Sequence, residues 1–170
     1  LAADIIILAA PLYTMRTPVW IQAFQNRLRA LELGKYYRYA AEGSMMDKVG
    51  GAVVVAYVRH AGIETGLHNL VFPFIEANWI LAGAGFGSPW GVGGLSSPAG
   101  IAKWDPADKL TAAHEEFAIK SARILAKRAV ALAKIIKAGK QAVPKEEWYG
   151  WKQENNAWID DNLPWQVKKA

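Results

Sequence analysis

Two apolar runs constrain this chain more than any other feature. Asp4-Ile5-Ile6-Ile7-Leu8-Ala9-Ala10 and Val49-Gly50-Gly51-Ala52-Val53-Val54-Val55-Ala56 are strand-length, rich in β-branched residues, and hold nothing polar beyond Asp4. A strand with one wet face alternates apolar and polar residues. A continuous run is what a strand covered on both faces shows, as in a parallel sheet flanked by helices. Each run ends in a loop, and each loop leads into a helical pattern. After the first, Pro11 stops the strand, and Thr17-Pro18 reads as an N-cap followed by proline at the first helical position. Val19, Ala23, Phe24, Leu28 and Leu31 then form one stripe, with Gln22, Gln25, Asn26 and Arg29 off it and Gly34 as the stop. After the second, a helix is expected from Thr65 to Ala77, with Leu67, Leu70, Val71, Phe74 and Ile75 inward. Pro73 should kink it or shift its start. Trp79-Ile80-Leu81-Ala82-Gly83 is a third, shorter strand. The alternation predicts right-handed βαβ crossovers in an α/β fold.

The rest of the chain is less regular. Tyr36, Tyr37 and Tyr39 fall in an expected loop. Gly83 to Gly100 is a glycine-rich connection, long enough to be functional or an interface segment. Asp105-Pro106-Ala107-Asp108 reads as the start of a last helix that runs to about Ala138 and stops at Gly139. Leu110, Phe117, Ile124, Leu125, Leu132, Ile135 and Ile136 supply its expected buried side. From Pro144 onward Trp148, Trp151, Trp158 and Trp165 sit in a polar tail, which reads as an arm docked on this subunit or a neighbour. The expected organisation is a domain over residues 1–140 and a tryptophan-rich arm over 141–170.

Composition narrows the function classes. With 52% hydrophobic and 21% charged residues in 170, the chain is globular and has enough material for one core. No apolar run approaches the ~18 residues of a membrane span. The absence of cysteine excludes a disulfide framework and thiolate-held metals in these residues, and makes the cytoplasm the expected compartment. His68 and His114 have no metal-ligand spacing, so no metal site is expected. The net charge is +5, concentrated in Lys120, Arg123, Lys127, Arg128, Lys134, Lys137 and Lys140. With no interleaved aromatics or recognition motif, this run reads as a solvated helix face and not as a nucleic-acid surface.

The two loops after the strands carry the functional signal. An open α/β sheet holds ligands outside the carboxyl ends of its strands. Ala10-Pro11-Leu12-Tyr13 and Arg59-His60-Ala61-Gly62-Ile63-Glu64-Thr65 stand at those positions. They resemble, respectively, the small-Pro-x-Tyr loop and the Arg-His-Gly-Gly-Gln-Glu-Thr loop of the flavodoxin-like NAD(P)H-dependent FMN reductases and WrbA-type quinone reductases. Gly87-Ser88-Pro89-Trp90-Gly91 with Asp105-Pro106 resembles that family's late Trp-Gly loop and final helix start. Ala61 and Ile63 depart from the motif: one removes a glycine, the other an amide side chain.

The resemblance covers about Ala3 to Gly139. It implies a flavodoxin-like open parallel sheet with helices on both faces, of which this chain holds the later three strands of the order 2-1-3-4-5. It implies FMN as cofactor and NAD(P)H as co-substrate, with hydride passed to a quinone, a flavin or another small acceptor. The cofactor-binding residues it implies are Pro11, Leu12, Tyr13, Thr14, Met15, Arg16, Tyr57, Arg59, His60, Ala61, Gly62 and Glu64. No protein acid is needed at the flavin, so no catalytic residue is assigned. A homodimer or homotetramer is implied as well. The family's phosphate-holding loop has no counterpart here, and the first strand would offer an open apolar edge. The expectation is that the remaining sheet is truncated, disordered or supplied by another polypeptide. It would bring the phosphate loop, and an iron–sulfur motif in some relatives. Two other readings stay open: a non-catalytic flavodoxin-like assembly subunit, and an electron-carrier flavoprotein.

Overall fold

The computed structural model describes residues 2–32, 47–85, 87–97, 100–102, 107, 111–144 and 147. Contacts divide the chain into two compact units, Leu1–Lys134 and Ile135–Ala170. The first contains the sheet. Strand β1 (Ile5–Pro11) leads through a turn to helix α1 (Val19–Glu32), then to β2 (Val49–Ala56), α2 (Ile63–Glu76), β3 (Ile80–Leu81) and β4 (Val92–Leu95). A short 3₁₀ turn (Thr111–His114) precedes helix α3 (Glu116–Ala142), which crosses from the first unit into the second.

All strand pairs are parallel. β2 is central: β1 pairs along one edge from Ile5↔Val49 to Pro11↔Val55, and the other edge is shared by β3 and β4. β3 takes the start of that edge, opposite Val49 and Gly50, and β4 takes the end, opposite Val53 to Ala56. Together they act as one strand interrupted by residues 82–91. The expected third strand is therefore split, and its second half lies inside what the sequence presents as a glycine-rich connection. Gly91 re-enters the sheet at φ 140°, where a side chain would collide with the Ala52 carbonyl.

The sheet carries helices on both faces. Leu8, Ala10, Leu12, Ala52, Val54 and Ala56 meet Leu67, Leu70, Val71 and Phe74 of α2 and Leu28 of α1. Phe74 stacks on Trp79 with ring centroids 4.7 Å apart. On the opposite face Val92, Ala84 and half-buried Val53 meet Ala118 and Leu125 of α3. β1 is covered on one face only: Leu8 and Ala10 are buried, whereas Ile7 and Ala9 are exposed. The expectation of two covered faces holds for β2 and fails for β1, because α3 lies over β2 and β4.

The helices depart from their expected faces. In α1, Val19, Ala23 and Phe24 are exposed, while Gln25 is buried and half-buried Ile21 packs on the core. The side chain of Leu31 lies outside those described, as do Gly34 and the tyrosines at 36, 37 and 39. The reason Gln25 points inward lies in α2. Pro73 sits inside that helix and has no N–H, so the carbonyl four residues back, on Asn69, lacks its helical donor. Gln25 supplies one, donating from Nε2 to Asn69 O at 2.7 Å. Also in α2, Ile75 is exposed, and the helix begins at Ile63, two residues ahead of expectation.

In α3, Ala118, Ser121, Leu125 and Ala129 form the buried side, and Phe117, Ile124 and Ile135 are exposed. The helix rests closely on the sheet at two glycines: a Cβ on Gly94 would sit 3.2 Å from that of Ala118, and the bare Gly51 gives Leu125, the one large residue of the line, its room, a Cβ there lying 3.1 Å from it. Glu115 caps the helix, its Oε2 accepting from the Ala118 N–H at 2.7 Å. Gly139 lies within the helix and does not end it. The expected start at 105–106, Leu110, and the tryptophans at 148, 151, 158 and 165 lie outside the described residues. Among the described residues no helix is long and apolar enough to cross a membrane.

The Gln25–Asn69 bond is open to a mutant cycle. Gln25→Ala should cost about 1–3 kcal/mol in urea unfolding by leaving a carbonyl unsatisfied. The cost should shrink in a Pro73→Ala background, where the backbone N–H returns. An equal cost in both backgrounds would contradict the assignment.

Candidate functional site

Parallel pairing brings the two motif loops to one end of the sheet. β1 leaves the ladder at Pro11 opposite Val55, and the next residue still bonds across, Leu12 N–H donating to Val55 O at 2.8 Å. β2 ends one residue later at Ala56. Residues 11–16 and 57–64 thus rise side by side from neighbouring strands.

The first loop is a tight reverse turn. Tyr13 and Arg16 exchange both backbone bonds, at 2.9 and 3.0 Å, and the two residues between them, Thr14 and Met15, have φ of 50° and 66°. Positive φ at both central positions is the type I′ pattern, which favours Asn-Gly. Here a β-branched and a long side chain occupy it, a strained choice costing on the order of 1–3 kcal/mol per residue. Thr14 Oγ1 donates to Tyr13 O at 2.7 Å. Leu12 turns inward and is buried; Gly66 of α2 leaves the room, since a Cβ there would lie 2.5 Å from Leu12 Cδ2. Pro11, Tyr13, Thr14, Met15 and Arg16 remain exposed.

The second loop is braced from behind by a segment after β4. Tyr57 Oη donates to Ala102 O at 2.7 Å, Ser97 Oγ donates to Tyr57 O, and Arg59 N–H donates to Gly100 O at 3.3 Å. Val58 and Ile101 form an isolated antiparallel bridge. These contacts fix the Tyr57 ring at its tip and its backbone together. Nothing in the sequence singles out residues 97–102 beyond their place in the glycine-rich connection; the signal is the Ser-Ser-Pro-Ala-Gly turn composition, which marks a turn without saying what it holds.

The two loops touch at Gly62. This residue stands at the N-cap of α2 with φ 80°, and a Cβ on it would lie 2.6 Å from Met15 O and 3.0 Å from Met15 Cα. Only glycine combines that dihedral with that approach. The two residues that depart from the family motif both serve packing. Ala61 packs against the main core, and Ile63 presses onto Gly93 of β4, where a side chain would collide with it.

The completed rim offers the half-exposed rings of Tyr13 (58% accessible) and Tyr57 (40%), the exposed cations Arg16 and Arg59, exposed His60, and the Glu64 carboxylate in the first turn of α2. The rim thus brings aromatic surface and positive side chains to the same end of the sheet. Among the described residues no three His, Asp or Glu side chains gather as metal ligands. Trp90, from the other resembling loop, is not part of this rim: it packs edge-on against His68 of α2 at 4.8 Å, and His68 in turn stacks on Phe72 at 5.7 Å.

Two variants test this geometry before any ligand is added. Replacing Thr14-Met15 with Asn-Gly should raise stability by about 1 kcal/mol or more, since both positions then accept positive φ. Gly62→Ala should lower it by at least about 1 kcal/mol. Denaturant midpoints that move the other way would contradict the turn assignment.

Set against known proteins, the chain matches no family model and no curated protein, so a functional reading rests on the rim itself.

Proposed function

We propose that this chain binds FMN at the shared carboxyl end of β1 and β2 and serves the NAD(P)H-dependent reduction of a quinone, a flavin or a similar small acceptor. The observation that carries the reading is the Gly62–Met15 approach, which joins two tyrosine-bearing loops into one rim. FMN, when bound, supplies the hydride chemistry itself. The chain's part is to bind and orient. Tyr13 and Tyr57 offer ring contact, with Pro11, Thr14 and Met15 continuing the wall. Arg16 and Arg59 favour an anionic ligand, and the backbone of His60, Ala61 and Gly62 lines the approach to α2, whose first turn holds Glu64. Leu12 contributes through its backbone and through anchoring the loop in the core.

A second copy of the chain belongs in the same proposal. Val19, Trp20 and Phe24 give α1 an apolar exposed face next to the first loop, and an assembled dimer or tetramer would cover it.

A second reading, an assembly subunit that keeps the fold without the redox chemistry, is favoured by the packing roles of Ala61 and Ile63. A spectrum separates the two. The FMN reading expects the protein, purified or titrated with FMN, to hold flavin absorbing near ~450 nm and to bleach with NADPH. Tyr13→Ser should weaken binding by about two- to ten-fold, the worth of one aromatic contact. Refusal of FMN favours the assembly subunit, and bound flavin that NADPH leaves oxidised favours a carrier.

A further inference from the structure

Helix α3 holds seven basic side chains and one acid, so on its own it exceeds the whole chain's net charge of +5. Its buried line, Ala118, Ser121, Leu125 and Ala129, faces the sheet. Its outward surface is not simply polar. Phe117 (58% accessible) and Ile124 (49%) lie seven residues apart and share one line of the helix. Lys120 and Lys127 run beside that line three residues on, and Arg128, four beyond Ile124, closes its other side. Arg123 and Lys134 are exposed as well, and Lys120 pairs with Glu116 at 2.5 Å.

We infer that this face of α3 docks on an anionic lipid surface. The exposed Phe117 and Ile124 between cations make this face amphipathic and not uniformly polar. A nucleic acid would meet the lysines and arginines but leave those two side chains against phosphate. An anionic bilayer interface takes both: acyl chains accept the apolar line, and headgroup phosphates accept the flanking cations. The helix is too polar to span a bilayer, so the contact is a reversible one in the interface plane. This goes beyond the flavin reading and is measured without it.

Co-sedimentation of the full chain with phosphatidylcholine vesicles, with and without phosphatidylglycerol, tests the inference. Binding is expected only to the anionic vesicles and should weaken as salt shortens the electrostatic range. Lys127→Gln with Arg128→Gln should lower affinity by about 25-fold, at about five-fold per cation. Phe117→Ser with Ile124→Ser, which leaves every charge in place, should lower it by at least about ten-fold. All four residues are exposed, and an unchanged far-UV circular dichroism spectrum establishes that the variants are folded. The inference is overturned by no binding to anionic vesicles, by equal binding to neutral ones, by an apolar pair that proves indifferent, or by tighter binding to duplex DNA at the same ionic strength.

Discussion

Everything in the first unit depends on β2 being paired on both edges by parallel neighbours. A strand so placed has no solvent-facing edge, and its residues Val49, Ala52, Val54 and Ala56 are fully buried. Parallel pairing also fixes polarity: the chain leaves β1, β2 and β4 at the same end, and the loops found there are neighbours whatever their sequences. The lack of side chains at Gly50 and Gly51 serves the same strand, letting Phe74 of α2 and Leu125 of α3 press on it from opposite faces.

The rim built on that end carries its own strain. Thr14 and Met15 hold a backbone conformation that neither residue favours, and they hold it against Gly62, which has the opposite freedom. Strain of this kind persists when surrounding contacts over-determine it: here the paired Tyr13 and Arg16 backbones and the Leu12–Gly66 packing. The consequence is a preorganised surface. Tyr57 is held at its ring tip and its backbone, so a ligand using that ring would spend little on ordering it.

Much of this arrangement was legible in the sequence. The two apolar runs mark β1 and β2 to within a residue, and Pro18 marks the start of α1, its carbonyl accepting from Ile21 and Gln22. The strand ends locate both loops. What periodicity could not give was tertiary in origin. Gln25 is polar by type yet buried, because a proline on another helix creates the carbonyl it serves. Phe117 and Ile124 are apolar by type yet exposed, because the line α3 turns to the sheet is Ala118, Ser121, Leu125 and Ala129, and they lie off it. β4 was hidden because Val92-Gly93-Gly94-Leu95 has the composition of a loop and becomes a strand only through its pairing with Val53 to Ala56. Gly100 and Ala102 brace the rim through backbone carbonyls, which no side-chain pattern announces.

The central claim is that two loops far apart in sequence, residues 11–16 and 57–64, joined through Gly62 and Met15, form one ligand surface. Amide chemical shifts of the full chain, followed by NMR during titration with FMN, address it most directly. The account predicts that Tyr13, Met15, Tyr57 and Gly62 move together along one binding isotherm while the α3 amides beyond Leu125 stay still. Movement confined to one loop, or none in either, would contradict it.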